Sequence, residues 1–248
     1  MSFARLVLVL FLLGLAPAAR AETDLRLQAE FQAIHAEALL RTMDLALLGA
    51  ADVLGRSQTQ NELIIHEAFG NYVKRAPGLR AIIATNSQGE LQFDSFKFPA
   101  QHLDLSNRDY IKVALEMKNR DAYLGKPLMG KTSDVAFLPM SMPIFDIFKR
   151  VIGVVAGIMT PNRLIRQNIL CKACFVSIYR EDGEKITSYP SSLQFPEDML
   201  TLIKTKSQNG ILEHQMGSLE AQSSSARIQD YKLWIVFTKL KIGSSGRG

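Results

Sequence analysis

The chain has 248 residues, is 47% apolar and 21% charged, and carries a formal net charge of +5. This is the composition of a folded domain, and the basic residues are spread without a block, which excludes a nucleic-acid binder. The four histidines fall in different predicted elements without ligand spacing, so neither a metal nor a cofactor is expected.

Arg5 is followed by the apolar run Leu6 to Ala16 and by Ala19-Arg20-Ala21, an A-x-A cleavage pattern. Residues 1–21 therefore read as a signal peptide cut after Ala21, which sends the protein to the periplasm or outside the cell. The alternative is an uncleaved inner-membrane anchor, but the run is short of the roughly twenty residues that span a bilayer. Without Arg5 and Arg20, 27 of the 29 basic residues face 24 acidic ones, a mature net charge of +3. A mature chain of this size can bury two small cores.

Residues 22–76 form the second segment. From Asp24 to Lys74 there is no proline, and Leu27, Phe31, Ile34, Leu45 and Leu48 recur at helical spacing, joined by Leu39, Leu40, Met43 and Leu47 on a wider face. The reading is one long helix with Gly55 as its weak point. At 1.5 Å per residue it would run about 75 Å, too long for one small lobe to cover. It must serve two lobes, or a lobe and a partner helix, and a homodimer through this helix is expected.

Pro77-Gly78 ends the helix and opens a first lobe, residues 77–165. Ala81 to Thr85 reads as a buried strand, followed by a turn at Asn86 to Gly89 and a strand at Leu91 to Phe93. A short helix follows at Asn107 to Lys118, then strands at Tyr123 to Leu128, Val135 to Ile144 and Val151 to Met159. Pro161 to Leu170 reads as a connecting helix. The pattern then restarts in a smaller lobe, residues 166–240. Its strands are Phe175 to Tyr179, Lys185 to Tyr189, Gly210 to His214, Leu219 to Arg227 and Leu233 to Thr238, with a helix at Glu197 to Lys206. Residues 241–248 read as a disordered tail. The predicted fold class is α+β: a long N-terminal helix followed by two PAS-like lobes with antiparallel sheets.

Gly125-Lys126-Pro127-Leu128-Met129-Gly130-Lys131-Thr132 satisfies the phosphate-binding P-loop pattern G-x-x-x-x-G-K-[ST]. A working P-loop opens a helix whose N-terminal N–H groups hold the phosphates, whereas Val135-Ala136-Phe137-Leu138-Pro139 reads as a strand. The glycines are therefore assigned to a hairpin. Cys171 and Cys174 lie in Cys-Lys-Ala-Cys, and export makes a local disulfide the expected state. A thioredoxin-type pair should open a helix after a strand, but a strand follows it here. No hydrolase elbow occurs, and the Glu181-Asp182 pair belongs to a turn at Gly183. No catalytic constellation is assembled, and an enzyme is not expected.

The informative stretches are Asp104-Leu105-Ser106-Asn107-Arg108-Asp109-Tyr110-Ile111-Lys112-Val113-Ala114, Tyr123-Leu124-Gly125-Lys126-Pro127, Pro139-Met140-Ser141-Met142-Pro143-Ile144 and Gly153-Val154-Val155-Ala156-Gly157. In this order they resemble the membrane-distal lobe of the double Cache, or PDC, sensors of bacterial diguanylate cyclases, histidine kinases and chemoreceptors. Pro77-Gly78-Leu79-Arg80, Asp182-Gly183 and Tyr189-Pro190 extend the resemblance over residues 30 to 240. Arg108 and Tyr110 match the arginine and first aromatic of the family's helix motif, while Ile111 replaces the second aromatic. That departure argues against an amino-acid ligand; the carboxylate-sensing kinases share Arg-x-Tyr.

The resemblance implies an exported sensory domain that binds a small ligand for signal transduction. The chemistry points to a small organic anion such as a carboxylate, because a guanidinium grips a carboxylate bidentately while tyrosine hydroxyls and lysines add donors. The candidate ligand-binding residues are Arg108, Tyr110, Tyr123, Lys126, Lys131 and Ser141. Family members usually continue into a transmembrane helix and an output domain, so a membrane-bound kinase or cyclase is the expected partner, with the chain read either as a free sensor or as a shortened receptor. Two rival readings stand beside it: a secreted solute-binding protein for a transporter, and a periplasmic thiol oxidoreductase using Cys171 and Cys174.

Overall fold

A computed structural model describes residues 16–241, apart from 57–60, 132–134, 193, 194 and 209, and the side chains from residue 24 onward. The residues of the signal-peptide reading before Ala16, its cleavage site's side chains and the tail after Lys241 lie outside what is described. The elements in chain order are α1 (Ala16–Arg56), α2 (Glu62–Arg75), β1 (Leu79–Asn86), β2 (Leu91–Asp94) and α3 (Asp109–Glu116). Strands β3 (Tyr123–Leu124), β4 (Leu128–Met129), β5 (Ala136–Phe145) and β6 (Val151–Met159) complete the first sheet. Then come β7 (Cys174–Arg180), β8 (Lys185–Tyr189), α4 (Met199–Lys206), β9 (Ile211–Met216), β10 (Leu219–Ile228) and β11 (Leu233–Leu240).

The long helix is two helices. The first ends at Arg56, one residue past the glycine where propensity is weakest. The second restarts behind Asn61, whose side-chain oxygen accepts the N–H groups of Leu63 and Ile64 at 3.0 and 3.2 Å, satisfying two donors that a helix start leaves open. The face that α1 buries also differs from the one its large residues mark. Ala29, Ala36, Leu40, Met43, Leu47 and Leu54 are buried. Leu27, Phe31, Ile34 and Leu45 stay 43, 47, 63 and 69% exposed. The packed face thus mixes alanines, which let the helix backbone approach closely, with Leu40, Met43, Leu47 and Leu54, which fill the space between.

The chain divides into two compact units. One holds residues up to His35 and from Ile165 onward; the other holds Ala36–Leu164. In the second of these the sheet order is β2-β1-β6-β5-β3, with β4 also pairing β5. All its ladders are antiparallel, and α3 lies against β5 and β6. The other unit repeats the arrangement as β8-β7-β11-β10-β9, again antiparallel, with α4 against β9 and β10. The same path in both sheets is the tandem PAS-like architecture expected from the sequence.

Strand β5 carries Pro139 and Pro143, which a fully paired strand would exclude. Its β6 side is continuous, and the Pro139 carbonyl points to the other side, where it accepts the Gly125 N–H at 2.9 Å. The missing proline N–H groups thus fall on the side that the short β3 and β4 cover only in part. Residues Pro161 to Leu170 are not one α-helix. They form two 3₁₀ turns, Pro161–Leu164 and Gln167–Ile169, pinned where Gln32 accepts the Arg166 N–H at 2.9 Å and donates to the Arg166 carbonyl at 3.1 Å. Among the described residues no helix is long and apolar enough to cross a membrane.

Candidate ligand-binding site

The first sheet, the start of α3 and the segments beside them line a half-open cavity of about 270 Å³. Its floor is apolar and inward-facing, with Ala81, Ile83, Leu91, Phe137 and Ile158 coming from four strands. Leu105 and Tyr110 close it from the segment that leads into α3. Arg80, Asp94, Arg108 and Lys131 supply the charges of its wall. Small-molecule sites typically show this combination of an apolar lining with a few convergent polar groups.

The local sequence explains why Arg108 is available. It is the N-cap of α3, in an extended conformation, and its carbonyl accepts the N–H groups of Ile111 and Lys112 at 2.9 and 3.0 Å. The backbone starts the helix there while the side chain makes no cap bond, so the guanidinium reaches across to the Met129 carbonyl at 3.3 Å. Lys131 makes the reciprocal tie, donating from Nζ to the Asp104 carbonyl. Segments 104–108 and 129–131 are thus laced by two cations bonded to neutral carbonyls. A ligand carboxylate would be a stronger acceptor for both.

Tyr110 is 3% exposed and meets Phe137 edge-on, with ring centroids 6.2 Å apart. Burial pushes its hydroxyl up to about 12 against the pull of Arg108, so it stays a neutral donor at physiological pH. Asp94 is raised above the usual carboxylate range by burial, while the N–H groups of Phe96 and Lys97 and the charges of His66 and Lys97 oppose the shift. One of its oxygens accepts the Phe96 N–H at 2.7 Å, and its carbonyl accepts a bond from His66 Nδ1 at 2.7 Å. The loop after β2 is thereby tied to α2, and Phe96 at its tip lines the cavity.

Of the six residues read from the sequence, Arg108, Tyr110 and Lys131 line this cavity. Tyr123 sits on β3 opposite Ser141 and packs against the apolar cluster around Tyr110 and Phe137 instead. Lys126 is exposed between β3 and β4 and is not in the wall. Ser141 is fully buried, and its hydroxyl donates to the Tyr110 carbonyl at 2.6 Å, so it is a packing tie between β5 and α3. The sequence reading missed Arg80, Asp94 and Phe96, which precede the motif in the chain and join it only through the sheet.

The P-loop pattern has no helix behind it. Thr132 lies outside the described residues, and the next element is strand β5. Gly125 is required by contact, since a Cβ there would meet Pro139 Cγ at 2.8 Å. Cys171 and Cys174 form a disulfide at the start of β7, whose first residue is Cys174. Among the described residues no group of three or more His, Cys, Asp or Glu is placed to hold a metal ion.

The fold, a long N-terminal helix followed by two PAS-like antiparallel sheets, is shared with extracellular domains of known structure. The extracellular domain of rpHK1S-Z16, a protein assigned as a histidine kinase, shares it with a TM-score of 0.80 at 17% identity, over 93% of this chain and 99% of that one. The ligand-binding domain of the Campylobacter jejuni chemoreceptor Tlp3, in complex with L-norvaline, gives 0.69 at 11% identity, over 90% and 91% of the two chains. That of the Pseudomonas aeruginosa amino-acid chemoreceptor PctC, in complex with GABA, gives 0.64 at 14%, over 90% and 100%. No family model matches the chain, and no curated protein matches it.

Proposed function

We propose that this chain is an extracytoplasmic sensor module that binds a small organic anion in the cavity of its first lobe, residues 77–165, with Arg108 as principal anchor. The observation that carries this reading is the wall itself: among its described residues, three cations stand against one carboxylate over an apolar floor. An anion held there gains charge-assisted bonds in a partly desolvated setting, where they are stronger than in water. The shared fold with sensory domains of a histidine kinase and of chemoreceptors supports signal transduction over catalysis, and the A-x-A pattern supports export. A membrane kinase or cyclase is the corresponding output partner.

The exposed stripe of α1 supports a second copy of the chain as a further partner. The exposed Leu27, Phe31, Ile34, Ala38, Arg41 and Leu45 and the half-buried Leu48 follow one another at alternating intervals of four and three, the spacing of a coiled-coil seam. A thermal-shift screen against organic acids tests the ligand reading. A ligand at a hundred times its dissociation constant should stabilise the protein by about 2.7 kcal/mol. Carboxylates should raise the melting temperature of the wild type and leave Arg108→Ala unmoved. A response only to cations such as polyamines would refute the proposal.

A further inference from the structure

The deepest part of the cavity is apolar, while the exposed Phe96 and Val135 add apolar surface at its mouth beside the charges. Leu91, Leu105, Tyr110 and Phe137 are all below a tenth exposed, and Ile83 and Ile158 pack against that same buried cluster. The charged wall residues lie further out: Arg80 and Lys131 are exposed, and Arg108 and Asp94 are half-buried. We infer, resting on the reading of this cavity as the ligand site, that its ligand is a monocarboxylate with a compact apolar body. The carboxylate sits at the cationic rim and the hydrocarbon part lies on the floor.

The size and the chemistry agree on this class. At roughly 30 Å³ per water, the cavity has room for about nine water volumes, enough for a ligand of about eight to ten non-hydrogen atoms. A dicarboxylate of that length would put its second charge against the floor, where among the described lining residues Tyr110 is the one with a side-chain polar group, and an unpaired charge buried there is costly. An α-ammonium group would stay at the rim. There it would meet three cations, while Asp94 is the one carboxylate among the described lining residues and Asp104 stands behind Lys131; one Asp94 oxygen is already taken by the Phe96 N–H and Asp104 accepts the Ser106 N–H. An alcohol of the same shape would fill the floor but forfeit the charge-assisted bonds to Arg108 and Lys131.

The test is a calorimetric titration of the purified protein with four probes of matched size: 4-methylpentanoate, leucine, adipate and 4-methylpentanol. Ile83→Trp, and the milder Ala81→Leu, fill the floor without touching the cationic rim. Circular dichroism is recorded beside each titration. The inference expects 4-methylpentanoate to bind at least tenfold more tightly than the other three. It also expects that binding to weaken at least tenfold in a floor-filling variant that keeps its fold. Leucine or adipate binding as tightly, with the affinity lost in Arg108→Ala, overturns the monocarboxylate class while leaving the anion site intact. Binding of 4-methylpentanoate that neither Arg108→Ala nor the floor-filling variants alter overturns both readings.

Discussion

Ser141 gives a sharp contrast between a motif reading and the packing. Its hydroxyl is 0% exposed and donates at 2.6 Å to the carbonyl of Tyr110, the residue after the start of α3. Ser141→Ala removes one buried neutral hydrogen bond, a net loss of about 0.5–1.5 kcal/mol. The Tyr110 carbonyl keeps its helical N–H partner four residues on, so no orphaned acceptor adds to that figure. For a domain of this size, a loss of about 1 kcal/mol lowers the melting temperature by roughly 2–4 °C. Ser141→Val also forces a branched side chain into a filled site, at a further cost of about 1–3 kcal/mol. Urea and thermal denaturation, with a carboxylate titration beside them, check this. Both variants should lose stability in that order while Ser141→Ala keeps the wild-type ligand affinity. Unchanged stability with a tenfold loss of affinity in Ser141→Ala would refute the packing role and return Ser141 to the binding site.

Three further outcomes follow from particular contacts. His214 is lowered by burial against an opposing bond to the Gln215 carbonyl, and its Nε2 exchanges a hydrogen bond with Ser223 Oγ at 2.8 Å. With a folded value below the unfolded one, its contribution is complete above the unfolded pKa of about 6.5 and is lost as pH falls below that toward the folded value. Melting temperatures between pH 8 and 5 should therefore fall more steeply in the wild type than in His214→Gln. Glutamates at Ile34 and Leu45 on the exposed stripe should convert any dimer seen by light scattering into monomer without changing the helical signal. Reducing Cys171–Cys174, which closes a loop with a sequence separation of 3, should cost about 2 kcal/mol in a chain-entropy estimate; denaturation with and without a phosphine reductant measures it.

The tandem PAS-like fold was legible in the sequence because the same run of elements, a hairpin, a short helix and further strands, occurs twice, while the strand order within each sheet was not. What misled was the assumption that the largest apolar residues face the core. On α1, Leu27, Phe31, Ile34 and Leu45 mark the solvent side, and the packed side combines alanines with Leu40, Met43 and Leu47, which the sequence reading placed on its wider face. Pro161 to Leu170 reads as a helix by composition, but the bonds it makes to Gln32 belong to tertiary structure and leave no periodic trace. Of the residues lining the cavity, Arg108, Tyr110 and Lys131 had been singled out because they sit in motifs contiguous in sequence. Arg80, Asp94 and Phe96 lie on β1, on β2 and in the loop after it, and nothing local distinguishes them from surface residues until the sheet is assembled.

The central claim is that Arg108 anchors an anion in the first lobe's cavity, and calorimetry on wild type, Arg108→Ala and Arg108→Lys with the best carboxylate of the screen tests it most directly. Removing one partner of a desolvated charge pair costs about 2–5 kcal/mol, so Arg108→Ala should bind some thirtyfold to several thousandfold more weakly. Arg108→Lys should recover part of that loss, because an ammonium keeps the charge but not the planar fork. Melting curves taken alongside should show all three proteins folded. Equal affinity across the three folded proteins would contradict the account.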